Sequence, residues 1–394
     1  MTMRASAIAD VQRVRVPRRS SDVASALLAL AAFLGADAGI RAALPRAHDS
    51  DLGIKLDRLE EVVHEIDTVF IGSSVVHRQV DPTRFDEELG RRGTPTRSFN
   101  LGVRMMSVLE ADYAVDVVLA MAPERLERVF LECRHLGVRV NRENLITARV
   151  TDWHDTTRTW RAIRLAATSE RGTAKRVELV FDHLRAFAYR TANVGRLLGL
   201  ASEHWMGSAE ERSERALGRA RRRDVVLGPR RDGFSPLEFA LASENDDIRR
   251  AVERGEEPPE AHLGDRHRQL EEQRANFLAR VADMRANPVT DVTTPPEEVA
   301  VYADLDQRLR AADLRPVFFS NPDVIGAQLD VAERAEFLRT LHRRDVIGEL
   351  IDLSEPDDVP QLFDVRLRFD WSHLGAEGAA EFTRLLAERF AALR

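Results

Sequence analysis

Of the 394 residues only Cys133 is a cysteine, and only Lys55 and Lys175 are lysines. A single thiol excludes an intramolecular disulfide framework and any cysteine-based zinc cluster. The scarcity of lysine is a compositional bias toward arginine, and the arginines are scattered rather than gathered into a basic stripe. With a formal net charge of −7 at pH 7, the chain has no general attraction for nucleic acid, and no nucleic-acid partner is expected. Two nucleotide signatures are also missing. Gly72 is followed by Ser, Ser, Val, Val and His, without the further glycines of a dinucleotide-binding turn, and there is no Gly-Lys-Ser/Thr phosphate loop. No cofactor is expected.

Long apolar runs are lacking as well. The longest candidate at the N-terminus, Val23–Ala36, holds 14 residues, short of the roughly 20 needed to cross a bilayer. Arg13, Arg15, Arg18 and Arg19 precede it, and Ala36-Asp37-Ala38 has the small-residue look of a cleavage site. Basic flank followed by apolar run is the layout of a signal sequence or signal anchor. The expectation is therefore an N-terminal tail over 1–50 with an anchor-like segment at about 23–44, placing the protein on a membrane or outside the cytoplasm. A packed amphipathic helix carrying Asp37 and Arg41, in a cytoplasmic protein, is the alternative.

What remains describes a globular chain, 44% hydrophobic and 31% charged, long enough for one large domain or two ordinary ones. From Leu56 onward strand and helix patterns alternate. Thr68–Ile71, Arg97–Gly102 and Arg128–Glu132 read as strands, and Met106–Met121 as a helix with Pro123 just beyond it. The alternation stops between 140 and 295, where arginine, glutamate and alanine dominate and Gly228–Gly233 and Gly255–Pro259 mark loops. It resumes with a helix over Pro295–Ala312, a strand within Leu314–Pro322, a helix over Val331–Arg343, a strand within Gly348–Ser354 and a terminal helix over Ala376–Leu393. Strands separated by helices imply crossover units. The expected fold is α/β: a three-layer α/β/α domain over 56–139 and 296–394, with a mainly parallel sheet of about five strands. A helical insertion or cap over 140–295 interrupts it and offers a surface for a protein partner.

Open parallel sheets take ligands outside the carboxyl ends of their strands. The polar groups there are Ser73/Ser74, Asn100/Gly102, Glu132/Arg134 and Ser320/Asn321. Each also has a plain structural reading, since every strand ends in something polar and hydroxyls cap turns. The partner that singles out a serine lies near the C-terminus, in Phe369-Asp-Trp-Ser-His-Leu-Gly-Ala-Glu-Gly378. A serine nucleophile needs a base, and a histidine base needs an orienting carboxylate. Asp370 and His373, three residues apart, offer both, although Asp370 or Ser372 as a helix cap explains the same spacing.

FIGSSVV with the following His77–Pro82, FNLGV and DWSHLGAEGAAEF together resemble the SGNH/GDSL hydrolase-like superfamily, over roughly 66–135 and 313–394. The layout with an N-terminal hydrophobic segment is similar to its alginate O-acetylation and teichoic-acid D-alanine transfer members. The resemblance implies a flavodoxin-like α/β fold, Ser74 as nucleophile, Asp370 as acid and His373 as base, with Ser73 standing where many members have Asp. It implies an oxyanion hole from the backbone amides of Ser74 and Gly102. At the third block the chain departs from the pattern, because Glu132-Cys133-Arg134-His135 stands where the hydrolases carry Gly-x-Asn-Asp. One such donor is worth about 10²–10³ in rate, so Asn100 or Arg134 is a candidate substitute.

Other chemistry is weaker. Glu132, Cys133 and His135 have no second cluster to complete a metal site, so no metal is expected. Cys133 reads as a packing residue more readily than a nucleophile, and His77 as a core or surface residue more readily than a base. Trp371 lies beside His373 either as pocket lining or as packing under the last helix. Two functions stay open: a serine esterase or O-acyltransferase acting on an acyl ester or acylated carbohydrate, or a non-catalytic scaffold of the same fold in a membrane-associated assembly.

Overall fold

The computed structural model describes residues 50–132, 140, 142–169, 171–244, 272–290, 292–322, 324 and 331–393, with scattered positions between 24 and 40. In chain order the first half contains α1 (Asp51–Val62), β1 (Thr68–Ile71), α2 (Ser74–Gln79), α3 (Pro82–Arg91), β2 (Ser98–Asn100), α4 (Val108–Ala120) and β3 (Arg128–Glu132). The middle is helical: α5 (Ala148–Trp153), α6 (Thr156–Thr168), α7 (Thr173–Thr191), α8 (Val194–His204), α9 (Ala209–Leu227), α10 (Leu237–Glu244) and α11 (Arg274–Ala286). Then come α12 (Pro296–Ala311), β4 (Arg315–Phe319), α13 (Val331–Arg343), β5 (Glu349–Ile351) and α14 (Ala376–Ala392).

The five strands form one sheet in the order β2-β1-β3-β4-β5, and every pairing is parallel. Parallel strands are covered on both faces, so their side chains are apolar on both. Alternation divides them between two cores. Val69, Ile71, Val129, Leu131 and Phe318 face one cluster, which α1, α4, α12 and α13 complete. Phe70, Phe130, Val317, Phe319 and Ile351 face the other, against α3 and α14. The result is a three-layer α/β/α architecture. Its second core is aromatic: the rings of Phe70 and Phe85 meet edge to face at 4.9 Å, and those of Phe130 and Phe390 at 5.1 Å.

Local chemistry starts the helices that frame the site. Ser50 caps α1 by accepting from the Gly53 amide, Asp81 caps α3 with Pro82 in its first turn, and Ser107 caps α4 at Glu110. The first of these helices starts at Asp51, ahead of the expected domain start at 56, and carries Lys55 into the interior.

The middle helices are not a lid resting on a finished domain. Trp153, Ala162 and Leu165 belong to the same core as β1 and β3, and Phe277 and Val281 to the opposite one. Arg158 of α6 binds Asp112 and Asp116 of α4, and Arg308 of α12 binds the same two carboxylates. The anchor-like segment falls largely outside the described residues. Among the described residues no helix is long and apolar enough to cross a membrane.

Candidate active site

In this strand order the chain reverses direction across the sheet between β1 and β3, and the crevice above their carboxyl ends is the expected ligand position. Ser73 and Ser74 stand there, at the tip of β1 and the start of α2. The two hydroxyls are unlike. Ser73 is fully buried and caps α2, its Oγ accepting from the Val75 amide at 3.2 Å. Ser74 is half-buried and turns toward the segment preceding α14.

That segment delivers His373, 299 residues away in sequence, with Nε2 3.0 Å from Ser74 Oγ. His373 Nδ1 lies 3.0 and 3.1 Å from the two carboxylate oxygens of Asp370. A carboxylate only accepts, so Nδ1 carries the proton and Nε2 presents its lone pair to the serine hydroxyl. Asp370 Oδ1 also accepts the backbone amides of Ser372 and His373, both at 2.8 Å. Burial pushes the Asp370 carboxyl up, but the His373 ring and those two amides together hold it below its ordinary value. The Asp-x-x-His spacing therefore makes a tight loop in which one carboxylate both shapes the backbone and orients the ring.

The loop is pinned from several sides. Arg368, 2% exposed, donates to the carbonyls of Trp371 at 3.1 Å, Leu362 at 2.9 Å and Pro322. Gln79 Nε2 reaches the Ser372 carbonyl at 3.2 Å, tying α2, which begins at Ser74, to the loop that carries His373. The Trp371 indole donates to Gln273 Oε1 at 2.8 Å and meets the Phe277 ring edge to face at 5.7 Å. Packing against the middle helices thus accounts for its position.

The second-block residues do different work from that implied by the superfamily pattern. The Gly102 N–H donates to Asn100 Oδ1 at 2.9 Å, and Asn100 Nδ2 donates to the Val76 and Val80 carbonyls at 2.6 and 2.7 Å. Asn100 is fully buried. Neither group is therefore a free oxyanion donor: Asn100 holds the edge strand β2 to the end of α2, and the Gly102 N–H fixes the Asn100 side chain. Gly102 is required for close approach, since a Cβ there would fall 2.5 Å from the His77 amide nitrogen. The Ser74 N–H remains as the backbone donor, in a first helical turn where amides have no intrahelical acceptor. Arg134 lies outside the described residues, as do Cys133 and His135.

Beneath Gly102 lies a group that no sequence motif marks. Lys55 is fully buried, and its Nζ sits 2.5 Å from the Gly102 carbonyl, 2.6 Å from Gly233, 3.0 Å from Asn100 and 2.9 Å from His77 Nδ1. Burial pushes Lys55 well below the usual lysine range, Arg78 adds to this, and Asp51 and Asp232 oppose it. Burial, Lys55 and Arg78 likewise push His77 well down, leaving a neutral ring that accepts from the amine. His77 is thus a core residue facing away from base chemistry. The Gly228–Gly233 loop is also more than a linker. The Asp232 carbonyl accepts the Asn100 amide at 2.9 Å, and Ser235 binds both the His77 carbonyl and Arg78. One sequence signal pointed to Lys55: one of only two lysines, set on the apolar stripe Leu52, Leu56 and Leu59.

Glu132, at the tip of β3, is 6% exposed. Its Oε2 accepts the Ser73 N–H, while Oε1 accepts the Ser73 hydroxyl at 2.9 Å and Asn321 Nδ2 at 2.6 Å. Among the described residues no group of three or more histidine, cysteine, aspartate or glutamate side chains is placed to hold a metal ion. No family model matches the chain, and no curated protein matches it.

Proposed function

We propose that this chain is a serine ester hydrolase or O-acyltransferase of SGNH type. One observation carries the reading: three side chains from the two ends of the chain meet in the order Ser74–His373–Asp370, with bonds of 3.0 Å on both sides of the imidazole. As Ser74 Oγ attacks an acyl carbonyl, its proton passes to His373 Nε2, and Asp370 stabilises the resulting imidazolium. The carbonyl oxygen takes the negative charge against the Ser74 N–H. His373 then protonates the departing alcohol, leaving Ser74 acylated. In the second step His373 takes a proton from water or from a sugar hydroxyl as that oxygen attacks the acyl carbonyl, and returns the proton to Ser74 Oγ as the acyl–Ser74 bond breaks, which frees the serine. Hydrolysis and transfer differ only in that acceptor.

The substrate class proposed is an acyl ester or acylated carbohydrate, and the basic-then-apolar N-terminus supports work at a membrane or outside the cytoplasm. The test is covalent labelling by a fluorophosphonate. Wild type is expected to label at Ser74, and S74A and H373A to lose the label. A folded wild-type protein that does not label refutes the nucleophile.

A second reading, a non-catalytic scaffold binding a protein partner through its middle helices, is favoured by Glu132 in place of a third-block asparagine and by the engaged Gly102 amide. It predicts no labelling of wild type at any pH.

A further inference from the structure

Glu132 lies directly across the sheet from the nucleophile's turn. β1 and β3 pair in register up to Ile71 and Leu131, so Glu132 is the next residue beyond, opposite Gly72. A Cβ on residue 72 would fall 2.5 Å from Glu132 Cβ and 2.6 Å from its Oε2, so the glycine before the two serines is what lets the carboxylate reach them. A strand tip enclosed by its neighbours is ordinarily filled at lower cost by an apolar side chain than by a carboxylate. This carboxylate instead gathers three donors, from β1 and β4 at once.

We propose that Glu132 is the positioning residue of the Ser73–Ser74 turn, acting from the third-block position in place of an oxyanion donor; this rests on Ser74 being the nucleophile. The carboxylate only accepts, so the Ser73 hydroxyl proton points toward Oε1 and its lone pairs turn toward the Val75 amide, which donates at 3.2 Å. The amides before and after Ser74 are thereby both tied, one directly to Glu132 and one through the Ser73 hydroxyl. Asn321 joins the same oxygen from β4, and its orientation is fixed because Oδ1 in that place would face a carboxylate. Ser74 is left the one residue of the turn whose side chain is free to face His373. Positioning of this kind matters because a displacement of about 1 Å at a reacting atom costs about 10²-fold in rate.

The experiment is E132Q in the full chain, read by fluorophosphonate inactivation kinetics. Glutamine keeps the size but turns an N–H toward donors of Ser73 or Asn321. The maximal inactivation rate is expected to fall about 10²-fold, with the probe's half-saturating concentration and the melting temperature little changed. A general loss of structure would instead lower the melting temperature and the labelled fraction together. Amide hydrogen exchange at Ser73 and Val75 is expected to quicken. Wild-type labelling with an unchanged E132Q rate overturns the positioning role and leaves the nucleophile standing. Absent wild-type labelling overturns the nucleophile, and exchange at Ser73 and Val75 then decides the clamp: unchanged protection overturns it. If E132Q does not fold, S73A, which removes the hydroxyl leg, is expected to slow labelling about tenfold, and an unchanged rate is the refuting result.

Discussion

Replacing Asp370 by asparagine separates the two tasks that the carboxylate performs. The D370N side chain would keep an oxygen for the amides of Ser372 and His373, each now 2.8 Å from Oδ1, so the loop is expected to hold its shape. It would turn its NH₂ toward His373 Nδ1, where a proton now sits, and drive that proton to Nε2. The ring would then donate toward Ser74 Oγ instead of accepting from it. In a Ser-His-Asp triad this tautomer error costs about 10⁴ in rate, about 5 kcal/mol of transition-state stabilisation. Stability would fall far less, by about 1–3 kcal/mol for a charge-assisted bond made neutral. The assay is the inactivation rate of D370N against wild type, with urea unfolding in parallel. The same pair of proteins tests the electrostatics. The folded Asp370 value lies below its ordinary one, so its stabilisation is present above about pH 3.9 and is lost as pH falls through the folded value. The stability gap between wild type and D370N should therefore hold from pH 7 down to about pH 4 and narrow as pH falls below about 3.9. A D370N rate within tenfold of wild type, with the loop intact, would refute the triad.

Two further outcomes follow from burial. In K55M the carbonyls of Gly102, Gly233 and Asn100 and the His77 ring lose their donor, at about 1–3 kcal/mol each. Relief from burying an amine offsets part of this, and a net loss of about 3 kcal/mol is expected in urea unfolding. Lys55 is held below the free lysine value of about 10.4, so between the two values the unfolded chain binds more protons and wild-type stability rises with pH. K55M should lack that rise, and an equal slope in both proteins would contradict it. F130A removes a ring in contact with Phe70, Phe85 and Phe390 and should cost about 3–5 kcal/mol in the same assay, with little effect on the labelling rate of the folded fraction.

The elements with strong periodicity are legible in the sequence. β1 lies where an apolar run meets Gly72, β3 where Arg128–Glu132 was read, and α13 spans the expected Val331–Arg343. Buried strands and amphipathic helices carry their environment in their own residue order. The candidate triad was legible for a different reason: Asp370 and His373 share one loop and advertise it by spacing. The clamp and the lysine were not. Glu132 reads as a polar strand end like any other, and Asn321 and Ser73 read as turn residues, until the sheet brings three strand tips together. The Gly228–Gly233 loop reads as punctuation between helices, since nothing local reveals that its carbonyls will face Lys55.

By itself, then, the sequence determined the α/β class, a sheet of about five strands, the two hydroxyls at the end of β1 and the Asp370–His373 spacing, because each rests on patterns among neighbouring residues. The tertiary structure alone decided the strand order and the contacts of Gly102, Asn100, Glu132 and Lys55, and it set Ser74, the serine that the superfamily resemblance singles out, within 3.0 Å of His373. Those depend on donors and acceptors that come from distant parts of the chain. A hydrogen bond between residues 178 positions apart, such as Lys55 to Gly233, leaves no period or motif in the sequence.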